Sequence, residues 1–331
     1  MTPPSPDRPD SEGLFPWRFF VRALACTVRV RVLALALVGT SVGTLLLPPQ
    51  APVEASRLEA SLDLATALPG PINHWRAVVG TVVHPFLLGG AARWPAAAAA
   101  VGMLVWWSLV GGAIARIAAA QLTFRAPPAM FAAMAGSARL LGVRCLPVVG
   151  VGLAAAALLL PLWLHGWLMH LPLLDFVSAL LLPIPLILAA VAAVILVLLT
   201  LNWPLLIACP AVERTDSFDA ASRAFAYVTQ RPIRLVAYLV TAVLVAAPVG
   251  LVVAAATLLL ERFTGLLLPT PSEEPGIADS VAAFWLRTVA MQLPAVFYAA
   301  YAWCAAVAIY LLLRRDIDGV QVDELETASR A

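Results

Sequence analysis

Lysine is absent from this chain of 331 residues, and charge of either sign is scarce. All 21 basic residues are arginine, and charged residues make up only 12% of the chain, against 62% hydrophobic residues. Soluble globular proteins carry about 25% charged residues. So little polar material cannot cover a soluble fold of this length, so lipid must be the solvent for much of the surface. The net charge of +2 is too small to indicate a nucleic-acid partner.

Sequence patterns typical of a metal-binding site or a disulfide framework are also missing. The chain has no HExxH sequence, and its four cysteines are far apart with no CxxC spacing: Cys26, Cys145, Cys209 and Cys304. Neither a zinc site nor a disulfide framework is indicated. We therefore expect no catalytic residue, no cofactor and no metal ion.

Long apolar runs, in contrast, are abundant. A membrane-spanning helix needs about 20 mostly apolar residues. The predicted fold is all-α, a polytopic transmembrane bundle with six spans at about residues 32–47, 95–120, 145–167, 182–205, 235–260 and 281–313. Residues 1–31 are expected to form a disordered cytoplasmic N-terminus, and residues 314–331 a cytoplasmic tail. Prolines at 204 and 210 predict that residues 206–212 leave the membrane along the inner interface.

The distribution of arginine predicts the orientation. With six spans and a cytoplasmic N-terminus, sixteen of the 21 arginines lie on the inner side and five on the outer. Residues 77–92 are apolar but short, and a seventh span there would place most later arginines outside, against the positive-inside rule. We interpret residues 77–92 as re-entrant or interfacial. The predicted location is the inner cell membrane of a bacterium, with both termini cytoplasmic.

The first span leaves two alternatives open. Its 16 uninterrupted apolar residues could be the core of a cleaved signal peptide, although the leader is long and contains acidic residues. Gly39 and Gly43 would let another helix pack closely. Small residues are common in membrane helices, however, and we favour that plainer explanation of the pair.

The clearest local pattern predicts an amphipathic helix before the fifth span, at the inner interface. Asp216 is a suitable N-cap, and Asp219 can pair with Arg223 four residues later. The predicted apolar face consists of Phe218, Ala221, Phe225 and Val228.

A similar interfacial helix is predicted before the third span. Two prolines at 127 and 128 can open it, Met130, Met134 and Leu141 supply apolar contacts, and Arg139 and Arg144 follow near its end. Two such helices in equivalent positions could reflect an internal duplication, for which the sequence gives thin support.

Two further residues are weighed as candidates for a role. Arg116 lies at the inner end of the second span, where an arginine that reaches the interface is favoured over a substrate ligand. Asp175 follows His165 and His170 at the outer end of the middle hairpin. A capping role for Asp175 is favoured over a metal or proton site.

Residues 211–225, with Glu213, Asp219 and a Ser222-Arg223-Ala224-Phe225 sequence, resemble a loop of uncharacterised bacterial six-helix membrane proteins. The loop is similar to one in the membrane domain joined to some glycerophosphodiester phosphodiesterases, and residues 111–120 resemble the first of these families. The resemblance implies a six-helix membrane fold. It does not imply phosphodiesterase activity, because the catalytic barrel of those enzymes has no counterpart here.

These observations leave three hypotheses for the function. The first is a non-enzymatic membrane protein, an accessory or assembly factor that interacts with the lipid bilayer and with other membrane proteins. The second is a transporter or permease subunit, although the centres of the spans contain no acidic residue. The third is a membrane enzyme with a site on the outer face, where all four histidines are predicted to lie.

Overall fold

The computed structural model describes residues 16–46, 93–171, 175–213, 215–267 and 292–319. The described residues are helical, without a β-strand, which confirms the all-α prediction. The helices are α1 (Trp17–Thr27), α2 (Val30–Leu46), α3 (Arg93–Leu122), α4 (Met130–Arg139), α5 (Leu141–Leu168), α6 (Asp175–Leu181), α7 (Pro183–Val212), α8 (Ser217–Gln230), α9 (Pro232–Leu267) and α10 (Leu293–Asp318).

Within this described part, five helices are long and apolar enough to cross a membrane: α3, α5, α7, α9 and α10. Helix α2, the predicted first span, is apolar but only 17 residues long. At about 1.5 Å per residue it extends about 26 Å, just short of the hydrocarbon thickness. The predicted interfacial segment at residues 77–92 and the first part of the predicted sixth span lie outside the described residues.

Helix α10 is the central helix of the bundle. Its most apolar stretch of 18 residues is buried throughout, whereas only 11% of the corresponding stretch of α5 and 17% of that of α7 are buried. Small residues let the neighbouring helices approach α10 closely. Its Trp303 stacks on Trp107 of α3 with ring centroids 6.0 Å apart, and meets Trp203 of α7 edge-on at 6.1 Å.

The prediction that residues 1–31 are disordered is wrong for the part that the structure describes. Helix α1 packs against α10, α9 and α3, with Phe19, Phe20 and Ala23 fully buried. These apolar residues recur at helical spacing and share one face, while Arg18 of the same helix is exposed and Arg22 is half-buried. The guanidinium of Arg22 lies 4.9 Å from the ring centre of Phe124, just after α3.

Two predicted boundaries are corrected. Helix α7 continues through Pro204 and Pro210 to Val212, so residues 206–212 do not leave the bundle. Leu206, Ile207 and Cys209 have no exposed surface. Packing of this last stretch against α3, α8 and α10 offsets the cost of the prolines. Helix α10 likewise continues into the predicted tail, ending where Gly319 adopts a φ of +68°.

Close packing between α2 and α3 explains the glycine pair of the first span. A Cβ on Gly39 would lie 3.0 Å from Val110 and 3.1 Å from Trp107, and a Cβ on Gly43 would contact the same tryptophan at 3.7 Å. The indole nitrogen of Trp106 donates to the carbonyl of Gly39 over 2.9 Å. The structure therefore supports close packing as the role of this glycine pair, and not merely the general abundance of small residues in membrane helices.

Candidate functional site

Charged side chains from several helices meet at one end of the bundle, which we call the charged face. It is formed by the C-terminal ends of α3, α7 and α10, the N-terminal ends of α5 and α9, and the short helices α4 and α8. Ion pairs join these elements: Arg223 of α8 and Arg314 of α10 both bind Glu213 at the end of α7, and Arg234 of α9 binds Asp316 of α10.

Helix α8 has the local structure that its sequence predicts. The carboxylate of Asp216 accepts a hydrogen bond from the backbone N–H of Asp219 over 2.8 Å, which makes Asp216 the N-cap. Such a cap contributes about 1 kcal/mol to helix stability. Arg223 donates to the carboxylate of Asp219 over 2.9 Å, as the spacing of four residues predicts.

The predicted apolar face of α8 is only partly right. Val228 is buried, and Ala221 and Phe225 are half-buried against the core, but Phe218 is 82% exposed. The face centres instead on Ala220, Ala224 and Tyr227. The helix is rotated from the predicted position because Arg223 must reach Glu213 and Tyr227 must reach Asp318 on neighbouring helices.

Glu213 is the centre of the charged face. Its carboxylate accepts hydrogen bonds from Arg223 over 2.6 Å and from the hydroxyl of Tyr310 over 2.8 Å, and it lies 3.0 Å from Nε of Arg314. The side chains of Glu213 and Arg314 are each only 13% exposed. We call Glu213, Arg223, Tyr310 and Arg314 the Glu213 cluster, which joins α7, α8 and α10.

Two more carboxylates, both at the end of α10, complete this network. Asp316 accepts a hydrogen bond from the hydroxyl of Tyr238 over 2.5 Å and binds Arg234 over 2.7 Å. Asp318 accepts a hydrogen bond from the hydroxyl of Tyr227. Burial, followed by this contact with Asp318, raises the pKa of Tyr227, so the phenol stays protonated at neutral pH and donates. The pKa of Arg223 is raised mainly by its hydrogen bond with Asp219.

The chemistry open to these carboxylates is limited by their contacts. Every carboxylate whose side chain the structure describes is already bound by an arginine, a tyrosine or a backbone N–H: Glu213, Asp216, Asp219, Asp316 and Asp318. No group of three metal-binding side chains occurs among the described residues. The network therefore fixes the positions of these helices relative to one another.

Arg144, at the start of α5, is the most unusual residue of the charged face. Its side chain has no exposed surface, although it carries a charge. Its Nη1 atom donates to the hydroxyl of Ser137 over 2.5 Å, and to the carbonyls of Ser108 and Ser137 over 3.2 and 3.3 Å. Arg144 thereby ties α5 to both α3 and α4.

Glycines provide the space for two arginines at this junction. A Cβ on Gly112 would lie 1.9 Å from Nη1 of Arg144, so the guanidinium occupies the place of the missing side chain. A Cβ on Gly136 would lie 2.8 Å from the guanidinium of Arg116. Arg116 is half-buried and lies against α4. Its role as an arginine that reaches the membrane interface stays a prediction.

Neither Arg144 nor Glu213 was predicted from the sequence to be a site residue. A signal for the first was present: Ser108, Gly112 and Arg116 recur every four residues, which places them on one face of α3. Nothing in the sequence shows that Arg144 fills the space beside Gly112. Glu213 lies in a segment that looked interfacial, and its partners Tyr310 and Arg314 are about a hundred residues away.

Asp175 and the two histidines that precede it, His165 and His170, lie at the opposite end of the bundle. Asp175 is the first residue of α6, and its side chain lies outside the described part. His165 is buried, and its Nε2 atom lies 3.2 Å from the hydroxyl of Ser178. His170 is exposed in the turn after α5.

Residues 39–43 match the GxSxG letters of a nucleophile elbow, which requires a strand, a sharp turn and a helix. Here the five residues lie in the middle of α2, and Ser41 is 3.4 Å from the side-chain oxygen of Gln292. The match therefore does not form an elbow.

An apolar cavity of about 460 Å³ lies between α7, α9 and α10. Its polar lining residues are Thr200 and Tyr301, whose hydroxyls already donate to backbone carbonyls of Val197 and Ala242. The cavity thus offers little to a hydrophilic molecule.

No family model matches the chain, and no curated protein or solved structure matches it either. The resemblance of residues 211–225 to the membrane domain of glycerophosphodiester phosphodiesterases therefore stays a prediction. The function has to be inferred from the geometry of the charged face.

Proposed function

We propose that this chain is a multi-pass protein of the inner cell membrane, with both termini in the cytoplasm, that acts by binding lipids or other membrane proteins and not by catalysis. The observation that carries the proposal is the commitment of every described carboxylate on the charged face to a structural bond. Catalytic acids, bases and metal sites need such groups free to react.

The charge balance of the same face supports a binding role. Its arginines outnumber its carboxylates; they include Arg116, Arg125, Arg139, Arg144, Arg223, Arg231, Arg234, Arg314 and Arg315. The cytoplasmic leaflet carries anionic lipids, and each arginine near it contributes about 1 kcal/mol of attraction. The excess of arginine also supports the cytoplasmic orientation of this face through the positive-inside rule.

The low burial of α5 and α7 is consistent with this role. Most of the apolar side chains on this hairpin face away from the bundle, among them Leu153, Leu160, Ile187 and Val194. A bilayer is the solvent that such a surface requires. The hairpin therefore anchors the bundle in lipid, while the charged face meets the headgroups.

The alternative of a transporter is favoured by one observation, the buried Arg144, because ionisable groups buried in membrane helices often mark substrate pathways. The apolar cavity gives it no support, since its hydroxyls are already bonded.

Lipid retention tests the binding role. We expect protein taken from bilayers of equal phosphatidylglycerol and phosphatidylcholine to retain the anionic lipid several-fold over the zwitterionic one, as measured by mass spectrometry of co-purified lipid. Salt at about 1 M should reduce this preference because it screens exposed charges. Retention of the two lipids in their bulk ratio at low salt would contradict the proposal.

A further inference from the structure

Among the described residues, the buried guanidinium of Arg144 has hydrogen-bond acceptors for one of its three nitrogens. Nη1 makes the hydrogen bonds to α3 and α4 described above, whereas Nε and Nη2 are buried and have no acceptor among the described residues. These two atoms form the edge of a guanidinium that binds carboxylates and phosphates through two parallel hydrogen bonds. The vacant edge is therefore the one suited to an oxyanion.

A second arginine, Arg116, lies on the neighbouring helix α3 and has no counter-ion among the described residues. Arg116 contacts Gly136, and Arg144 contacts the adjacent Ser137, so the two guanidiniums approach the same turn of α4. The positive charge of Arg116 acts on Arg144. Neither arginine has a carboxylate partner in the described part of the chain. Two like charges so placed repel each other unless an anion lies between them.

A hydroxyl completes the set of donors. Ser108 lies two turns before Arg116 on the same face of α3, and its Oγ atom is buried without a partner among the described residues. Two guanidiniums and a hydroxyl, to which no described carboxylate is bonded, match the acceptor oxygens of a phosphate group better than a carboxylate, which has fewer oxygens.

We propose that Arg116 and Arg144 bind a phosphate group at the junction of α3, α4 and α5. Arg116 is half-exposed and receives the anion first; Arg144 binds it from inside through Nε and Nη2. Because Arg144 has no exposed surface, α4 must move outward for the phosphate to reach it. The hydrogen bond from Ser137 to the carbonyl of Leu109, 2.6 Å long, holds α4 in the closed position.

The phosphate can come from a lipid headgroup or from solution, and the chemistry of the site is the same for both. This inference deepens the proposed function, and it uses that function only to place the site at the membrane surface. The two sources are separated by two probes: inorganic phosphate, and short-chain dioctanoyl phosphatidylglycerol.

The test measures the affinity of the full chain in neutral detergent for each probe by calorimetry. We compare the wild type with Arg116→Gln and with the control Arg139→Gln, which removes an exposed arginine from the same charged face. We expect Arg116→Gln to bind about 10- to 100-fold more weakly, as expected for the loss of a charge-assisted hydrogen bond. Arg139→Gln should bind within about twofold of the wild type.

Each outcome has a fixed meaning. Binding of inorganic phosphate that depends on Arg116 supports the site with a soluble source, and dependence seen only with the lipid supports a headgroup. No binding of either probe, or equal weakening by Arg116→Gln and Arg139→Gln, overturns it. If the site fails while phosphatidylglycerol is still enriched at low salt, the general binding role survives without this site.

Discussion

Gly112→Ala is expected to be among the most damaging single methyl additions in the chain. The new Cβ would lie 1.9 Å from Nη1 of Arg144 and 2.5 Å from the hydroxyl of Ser137. The helix backbone cannot give way by that amount, so the guanidinium must leave its three acceptors. Displacing a buried charge from its partners costs about 3–5 kcal/mol, a large part of the stability of a typical domain. Thermal unfolding of the detergent-solubilised protein measures the loss.

Gly142→Ala is the matched control for this substitution. Gly142 lies two residues before Arg144, and a Cβ there would meet no atom within 4 Å. We expect a change within about 0.5 kcal/mol. The double variant Gly112→Ala with Arg144→Ala should unfold at a higher temperature than Gly112→Ala alone, because the clash is gone. A Gly112→Ala protein as stable as the Gly142→Ala protein would contradict the placement of Arg144.

Glu213→Gln is expected to have the second large effect. The substitution keeps the shape of the side chain but removes the charge that Arg223 and Arg314 share. Arg314 is only 13% exposed, so its charge is left without compensation away from bulk water. Breaking such a pair costs about 3–5 kcal/mol. We expect α8 to detach from α10, which limited proteolysis near residues 217–230 would detect together with a lower unfolding temperature.

Asp219→Asn supplies the comparison, because it makes the same chemical change in the same cluster. The side chain of Asp219 is 39% exposed, and its ion pair with Arg223 lies within one helix. Exposed pairs of this kind contribute about 0.3–0.5 kcal/mol. If the two variants lose equal stability, Glu213 is not the centre of the charged face.

Local patterns in the sequence predicted local structure well. The N-cap at Asp216 and the pair of Asp219 with Arg223 depend on residues within a few positions of each other, and both are present. The long apolar runs predicted apolar helices for the same physical reason, since each helix satisfies its own backbone hydrogen bonds.

Contacts between distant segments could not be predicted in this way. The burial of α1 depends on α9 and α10, which lie more than 200 residues further along the chain. The position of Arg144 depends on the space beside Gly112, and the rotation of α8 depends on Asp318. Each is set by the packing of helices against one another, which a single sequence does not encode in any short pattern.

The most direct test concerns the side of the membrane that the charged face occupies. In a protein whose four native cysteines are replaced by alanine, single cysteines are placed at Ser222 on α8 and at His170 beyond the far end of α5, both exposed. A membrane-impermeant maleimide added to intact cells should label His170→Cys and leave Ser222→Cys unlabelled, and inverted vesicles should give the reverse. Labelling of Ser222→Cys in intact cells would contradict the cytoplasmic orientation and the binding role built on it.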